Sequence, residues 1–66
     1  MYLVKQTINH EEMTLAEFND IAKAENFLSK YVVILKKHDP HLAFKDNQII
    51  SHVPVERKIQ ITKKAG

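Results

Sequence analysis

The residues whose types could support chemistry are concentrated in two short histidine-containing segments. His38-Asp39-Pro40-His41 places two imidazoles and a carboxylate within four residues, and His10 is followed directly by two glutamates. Imidazoles and carboxylates are common ligands of transition metals. The proline, however, interrupts the helical spacing that would bring His38 and His41 onto one face. We therefore predict a helix end followed by a polar turn, and assign no metal site and no cofactor.

Acid–base and nucleophilic catalysis have weaker support. A paired-carboxylate site needs two acids that converge in a cleft, whereas Glu17, Asp20 and Glu25 have the spacing of a solvated helix face. The chain has no cysteine and its single glycine is the last residue, which excludes thiol catalysis and a glycine-rich phosphate loop. We therefore interpret the chain as a non-enzyme.

Basic residues are the stronger signal, because they are concentrated in the second half of the chain. Residues 1–30 carry a formal charge of −2 and residues 31–66 carry +4, within an overall charge of +2. Such an asymmetry favours a partner with an anionic surface, and nucleic acid is the leading candidate. The predicted phosphate contacts are Lys36, Lys37, Lys45, Arg57, Lys58, Lys63 and Lys64. The alternative is a solvated basic face that balances an acidic one.

Protein binding is the rival hypothesis. Apolar residues recur at helical spacing and form a stripe that could exceed what a small sheet covers. The stripe consists of Ile21, Ala24, Leu28, Tyr31, Val32 and Leu35. It would serve as a dimer seam or as the interface of an inhibitor, adaptor or antitoxin-like module, and a sheet edge near Pro54 could accept a partner strand. The equally open alternative is that the stripe belongs to the core.

The elements that position these residues begin with a predicted strand over residues 2–8, where β-forming side chains alternate between two faces. A helix is then predicted to begin at Thr14. Thr14 and Glu17 have the spacing of a capping box, and Met13 and Phe18 fit the hydrophobic staple that accompanies it.

The C-terminal end of that helix is less well defined by the sequence. Pro40 must stop it, which gives one long helix, straight or bent, from residue 15 to about 38. The apolar positions fall on two stripes rotated about the axis, and residues 31–37 are rich in β-forming types. The alternative is a helix that ends near Ser29 and is followed by a strand. No glycine marks such a break, so the long helix is favoured.

A small C-terminal antiparallel sheet completes the prediction. Residues 42–44 and 48–50 form a hairpin around Asp46-Asn47, and residues 55–62 alternate as a further strand. The predicted fold class is α+β, with one N-terminal strand, one long capped helix and this sheet in a single domain over residues 1–66. The predicted core consists of Leu3 or Val4, Ile8, Leu15, Phe18, Ile21, Ala22, Leu28, Val32, Leu35, Phe44, Ile49, Val53, Ile59 and Ile61.

Length and composition bear on assembly and compartment. A chain of 66 residues has a core that rarely supplies more than about 3–5 kcal/mol, and without cysteine no disulfide can add to it. We therefore expect a homodimer or a higher oligomer. No apolar run approaches the roughly 18–20 residues of a membrane span, and the first residues lack the pattern of a signal peptide. We therefore expect a cytoplasmic protein with no membrane partner.

Overall fold

In a computed structural model, which describes residues 1–64, the chain forms one five-stranded antiparallel sheet and one helix. The strands are β1 (Tyr2–Ile8), β2 (Glu11–Phe18), β3 (Ala43–Lys45), β4 (Gln48–Ser51) and β5 (Arg57–Lys63), and the helix is α1 (Ile21–Lys36). The strands are arranged in the order β2-β1-β5-β4-β3. The α+β class is confirmed. The sheet is larger than predicted, because the N-terminal part contributes two strands and not one.

Two tight turns close the hairpins without glycine. Asn9 and His10, between β1 and β2, have φ values of 52° and 68°, and Asp46 and Asn47, between β3 and β4, have values of 55° and 59°. Two consecutive residues with positive φ are typical of a type I′ turn, whose twist matches that of the flanking strands. Asn, Asp and His tolerate this conformation better than most residues with a side chain. The hairpin predicted around Asp46-Asn47 is therefore confirmed.

The predicted helix start at Thr14 is wrong, because residues 11–18 form the edge strand β2. The turn at Asn9-His10 folds β2 back along the whole length of β1, and this pairing satisfies backbone groups that a helix would have satisfied locally. The register shifts at Leu15, which has no partner residue on β1 and forms a bulge. Tertiary pairing thus overrides the local capping pattern.

Helix α1 instead begins after Asp20, whose side chain accepts a hydrogen bond from the Ala22 N–H at 2.9 Å. It continues to Lys36 and is closed by the backbone N–H of Lys37, which donates to carbonyls of the last turn. Residues 31–36 are therefore helical, and the alternative strand over residues 31–37 is wrong. The end of the helix agrees with the limit that Pro40 sets.

The core lies between one face of α1 and the inner face of the sheet. Its buried members are Val4, Ala24, Leu28, Val32, Leu35, Leu42, Ile49 and Ile59. Burying an aliphatic side chain of this size contributes about 1.5–3 kcal/mol. Four of the six residues in the predicted helix stripe belong to this core and are covered by the sheet. Of the other two, Ile21 is 37% exposed, and Tyr31 is half-buried and stacks on Phe27 at a centroid distance of 5.8 Å.

Four residues predicted to lie in the core are exposed: Ile21, Ala22, Phe44 and Val53. Ile21 and Ala22 form the first turn of α1; Ile21 shares the face of the buried helix positions but lies at the end of the helix, and Ala22 lies off that face. Phe44 lies on the edge strand β3, and Val53 lies in the loop between β4 and β5. A single helix cannot cover Phe44 and Val53, which lie away from the central strands.

Replacing the N-cap residue tests the observed helix start. Asp20→Ala removes the oxygen that accepts from Ala22, and is expected to lower the free energy of unfolding by about 1 kcal/mol. Asp20→Asn keeps an acceptor at the same position and is expected to stay near wild type. Urea unfolding followed by far-UV circular dichroism measures both. A loss in Thr14→Ala with none in Asp20→Ala would instead support the start predicted from the sequence.

Candidate functional site

The face of the sheet opposite α1 is uncovered. Side chains alternate along each strand, so the residues between the core positions of β1, β4 and β5 point away from the helix. We call this surface the open face; it consists of Leu3, Lys5, Thr7, Ala43, Lys45, Gln48, Ile50, Lys58, Gln60 and Thr62, with Glu12, Thr14 and Glu17 at the β2 edge. It is mostly polar and carries three lysines.

The lysines of the open face are spread over three strands. Register places Lys5 and Lys45 at the two ends of one row, three strand spacings or about 14 Å apart. Lys58 lies between them in the next row. Lys5 also faces Glu12, with Nζ 3.7 Å from Oε2. Such a partly exposed pair contributes only about 0–1 kcal/mol, so the lysine can exchange this partner for another anion at little cost.

Two of the seven predicted phosphate contacts, Lys45 and Lys58, lie on the open face. Lys45 is the last residue of β3 and was predicted to lie in the turn. Lys5 shares the face but was not among the predicted contacts. Lys5 lies in the half of the chain that is acidic overall. The predicted contacts were chosen from the basic half, so Lys5 was not among them.

The structure does not bring the other five predicted contacts onto the open face. Arg57 and Lys63 lie on the helix-facing side of β5, at its opposite ends. Lys36 and Lys37 lie at the C-terminal end of α1, and Lys64 follows β5. The predicted basic residues therefore surround the molecule and do not form one patch.

A cleft of about 370 Å³ lies at one end of the open face, where β1 and β4 end and β5 begins. We call it the end cleft; its polar lining includes Thr7, His10, His52, Glu56, Arg57 and Lys58. These residues come from the first hairpin, from the loop between β4 and β5, and from the start of β5. Sequence reasoning missed the cleft because these segments meet only through the pairing of β1, β5 and β4.

The end cleft is rich in cationic and donor groups. Among residues 1–64, Arg57 Nε is buried and has no hydrogen-bond partner, which costs about 1–3 kcal/mol for a buried donor. His52 Nδ1 lies 3.8 Å from Glu56 Oε1, an ion pair whenever the imidazole is protonated. The Glu56 side chain is 87% exposed and stands at the rim. The residues that line the end cleft thus include one arginine, one lysine and two histidines, against one glutamate that is largely solvated.

Asp39 fastens the loop after α1 to the wall of this cleft. Ser51 Oγ donates to Asp39 Oδ2 at 2.6 Å, and the His52 N–H donates to the same oxygen at 3.4 Å. The His41 N–H donates to Oδ1 at 3.1 Å. The pKa of Asp39 is lowered, mainly by the hydrogen bond from Ser51 and further by the N–H groups of His41 and His52. Burial acts in the opposite direction and raises this pKa. The carboxylate of the histidine-containing segment thus anchors the backbone of His52.

Comparison with family models, with curated proteins and with solved structures found no match. Within residues 1–64, no group of three or more His, Cys, Asp or Glu side chains is arranged to hold a metal ion. Over the same residues, α1 falls short of the length and apolar character that a membrane-crossing helix requires. Function is therefore inferred from the open face and the end cleft.

The Ser51–Asp39 hydrogen bond predicts a pH dependence of stability. The pKa of Asp39 is lower in the folded chain than in the unfolded chain, so its ionised form stabilises the fold at neutral pH. This contribution is lost as the pH falls below the unfolded value of about 3.9 and through the lower folded pKa. Ser51→Ala is expected to lower the free energy of unfolding at neutral pH and to differ less from wild type near about pH 3.

Urea unfolding at the two pH values measures this difference. Ser29→Ala, at an exposed position of α1, is the matched control, and its effect is expected to be the same at both. If the effect of Ser51→Ala does not change with pH, the hydroxyl acts through packing and not through the carboxylate.

Proposed function

We propose that this protein is a small, non-catalytic regulatory protein that binds the sugar–phosphate backbone of nucleic acid with the open face of its sheet. The observation that carries the proposal is the placement of Lys5, Lys45 and Lys58 on one uncovered surface, with amide and hydroxyl side chains between them. Ammonium groups neutralise phosphates, while amides and hydroxyls donate to phosphate and sugar oxygens. Such contacts position a backbone without reading its sequence.

The absence of aromatic groups from the open face supports this mode of binding. The aromatic side chains of residues 1–64 lie on the helix-facing sides of the strands or on α1, and Phe18 of β2 packs against Phe27, which stacks on Tyr31. No base can therefore stack on the face in the way that single-strand binders with aromatic platforms use. Affinity would come from phosphate contacts, which makes it independent of sequence and strongly dependent on salt.

Charge reversal on the open face tests the proposal. Lys45→Glu with Lys58→Glu is expected to weaken binding of a random single-stranded oligonucleotide more than tenfold at about 50 mM salt, and to flatten the log–log salt slope by about 0.7 for each phosphate that the variant no longer neutralises. Fluorescence anisotropy at about 50 and 200 mM salt measures both quantities.

Lys23→Glu with Lys30→Glu is the matched control, because it makes the same change of net charge on the exposed side of α1. We expect it to bind nearly as wild type does. Equal losses of affinity in the two double variants would mean that binding depends only on the net charge of the protein. No binding by the wild-type protein at the lower salt concentration would contradict the proposal.

Protein binding by strand addition is a second candidate, and it rests on the edge strand β2. This strand offers an eight-residue edge that is unpaired on its outer side within residues 1–64, and Met13 on it is 55% exposed. Its glutamates, Glu11, Glu12 and Glu17, make the edge acidic. Two copies paired edge to edge would bring these carboxylates together, so we propose an extended partner segment with basic side chains.

A designed peptide tests this second candidate. An unstructured peptide that alternates lysine with valine is expected to shift the ¹H–¹⁵N signals of residues 11–18 and to slow the exchange of their outward amides. The same peptide with glutamate in place of lysine is the control and is expected to leave them unchanged. Glu17→Lys should weaken the lysine peptide's binding. Shifts confined to other strands would contradict strand addition at β2.

Self-association remains a proposal that rests on the small size of the core. The buried residues of the helix stripe are not available for it. The large apolar residues that α1 exposes are Ile21, at 37%, and the adjacent pair Val33 and Ile34, at 61% and 54%. This pair is the surface that a dimer seam on the helix would use.

A further inference from the structure

The end cleft differs from the rest of the open face in the density of its donors. Elsewhere on the face, lysines stand singly and about 14 Å separates the two in one row. In the end cleft, Lys58, Arg57, His10 and His52 line one cavity of about 370 Å³. Arg57 Nε is buried and has no partner among the described residues, so Arg57 lines the cavity through other atoms of its side chain. A ligand that uses this cavity fully must be more anionic and richer in acceptors than one backbone phosphodiester.

We infer that the end cleft binds the terminal phosphate monoester of a nucleic-acid strand whose backbone lies on the open face. This inference rests on the proposed function and names the part of the ligand that the cleft takes. A phosphate monoester carries a charge of about −1.5 to −2 at pH 7 and three acceptor oxygens. An internal phosphodiester carries one charge and two free oxygens, so it leaves part of the donor set unused.

The position of the cleft fits a strand end. The Asn9-His10 turn and the loop from His52 to Glu56 stand where β1 and β4 end, so the cleft closes one end of the open face. Thr7 and Lys58 belong to both surfaces, which makes the path from the face into the cleft continuous. His10, whose φ is 68°, is one of the residues that line this closed end.

Three carboxylates near the cleft oppose an anion. Glu56 stands at the rim beside His52 and is largely solvated. Asp39 accepts hydrogen bonds from Ser51 and from the His52 N–H. Glu12 lies across from Thr7 and pairs with Lys5. Within residues 1–64, none of the three forms an ion pair with Arg57 or Lys58.

Three single-stranded oligonucleotides of one sequence test the inference: one with a 5′-phosphate, one with a 3′-phosphate and one with neither. Anisotropy titration of the full chain is expected to show about tenfold tighter binding of one phosphorylated end, the effect of a charge-assisted hydrogen bond to a buried ligand group. Since the structure does not set the polarity of the strand, either end supports the inference. Equal binding of all three would overturn it while leaving the proposed function standing.

Substitutions then locate the phosphate. His10→Asn keeps a residue that tolerates positive φ and removes the imidazole, and is expected to abolish the preference for the phosphorylated end without weakening the unphosphorylated oligonucleotide. His52→Gln is the second variant if the first does not fold. Lys45→Glu, on the open face away from the cleft, is the matched control and should weaken the binding of all three oligonucleotides by the same factor.

Glu56→Gln is expected to strengthen the binding of the terminal phosphate. Removing the exposed rim carboxylate is expected to raise the affinity for the oligonucleotide with the preferred phosphorylated end by roughly two- to fivefold. The affinity for the unphosphorylated oligonucleotide is expected to stay unchanged. A preference that survives His10→Asn and His52→Gln and does not respond to Glu56→Gln would place the phosphate elsewhere and overturn the assignment. No binding of any oligonucleotide at low salt would instead remove the proposed function itself.

Discussion

One helix must cover one face of a five-stranded sheet, and most other features of the fold follow from this constraint. Helix α1, with 16 residues, is about 24 Å long but only about 10 Å wide, while five strands span about 19 Å, so the helix shields the central strands better than the edges. The buried sheet residues accordingly belong to β1, β4 and β5, while β2 and β3 stay largely exposed. The opposite face remains in water, which explains why lysine, glutamine and threonine occupy it.

A core of this size can offset few locally unfavourable features, and two of those in the molecule lie together at the end cleft. His10 holds a positive φ, and Arg57 Nε is buried without a partner among the described residues. Both departures come from residues that line one cavity. Local rules are most often broken where function requires it, and the hydrogen bonds of Asp39 to Ser51 and His52 hold this region together.

Features that depend on local chemistry could be predicted from the sequence. Asp46-Asn47 specifies its turn without long-range help, and Pro40 limits the helix. The helix start could not be predicted, because the Thr14–Glu17 capping pattern is equally compatible with an edge strand that has a bulge and one solvent-exposed face. Charge alone found Lys45 and Lys58. The end cleft could not be predicted, because the residues that line it become neighbours only through strand pairing.

The split of charge along the chain becomes a gradient across the sheet. The acidic half contributes β2, with Glu12 and Glu17 at one edge, and the basic half contributes β3 and β5, with Lys45 and Lys58. A polyanion that crossed all five strands would meet the acidic edge. In the proposed binding mode, the favourable path therefore stays over β1, β5, β4 and β3, past Lys5, Lys45 and Lys58, and ends at the end cleft. The unpaired backbone edge of β2 lies on the other side of β1 from this path, so the proposed basic strand and the proposed nucleic acid would use different surfaces.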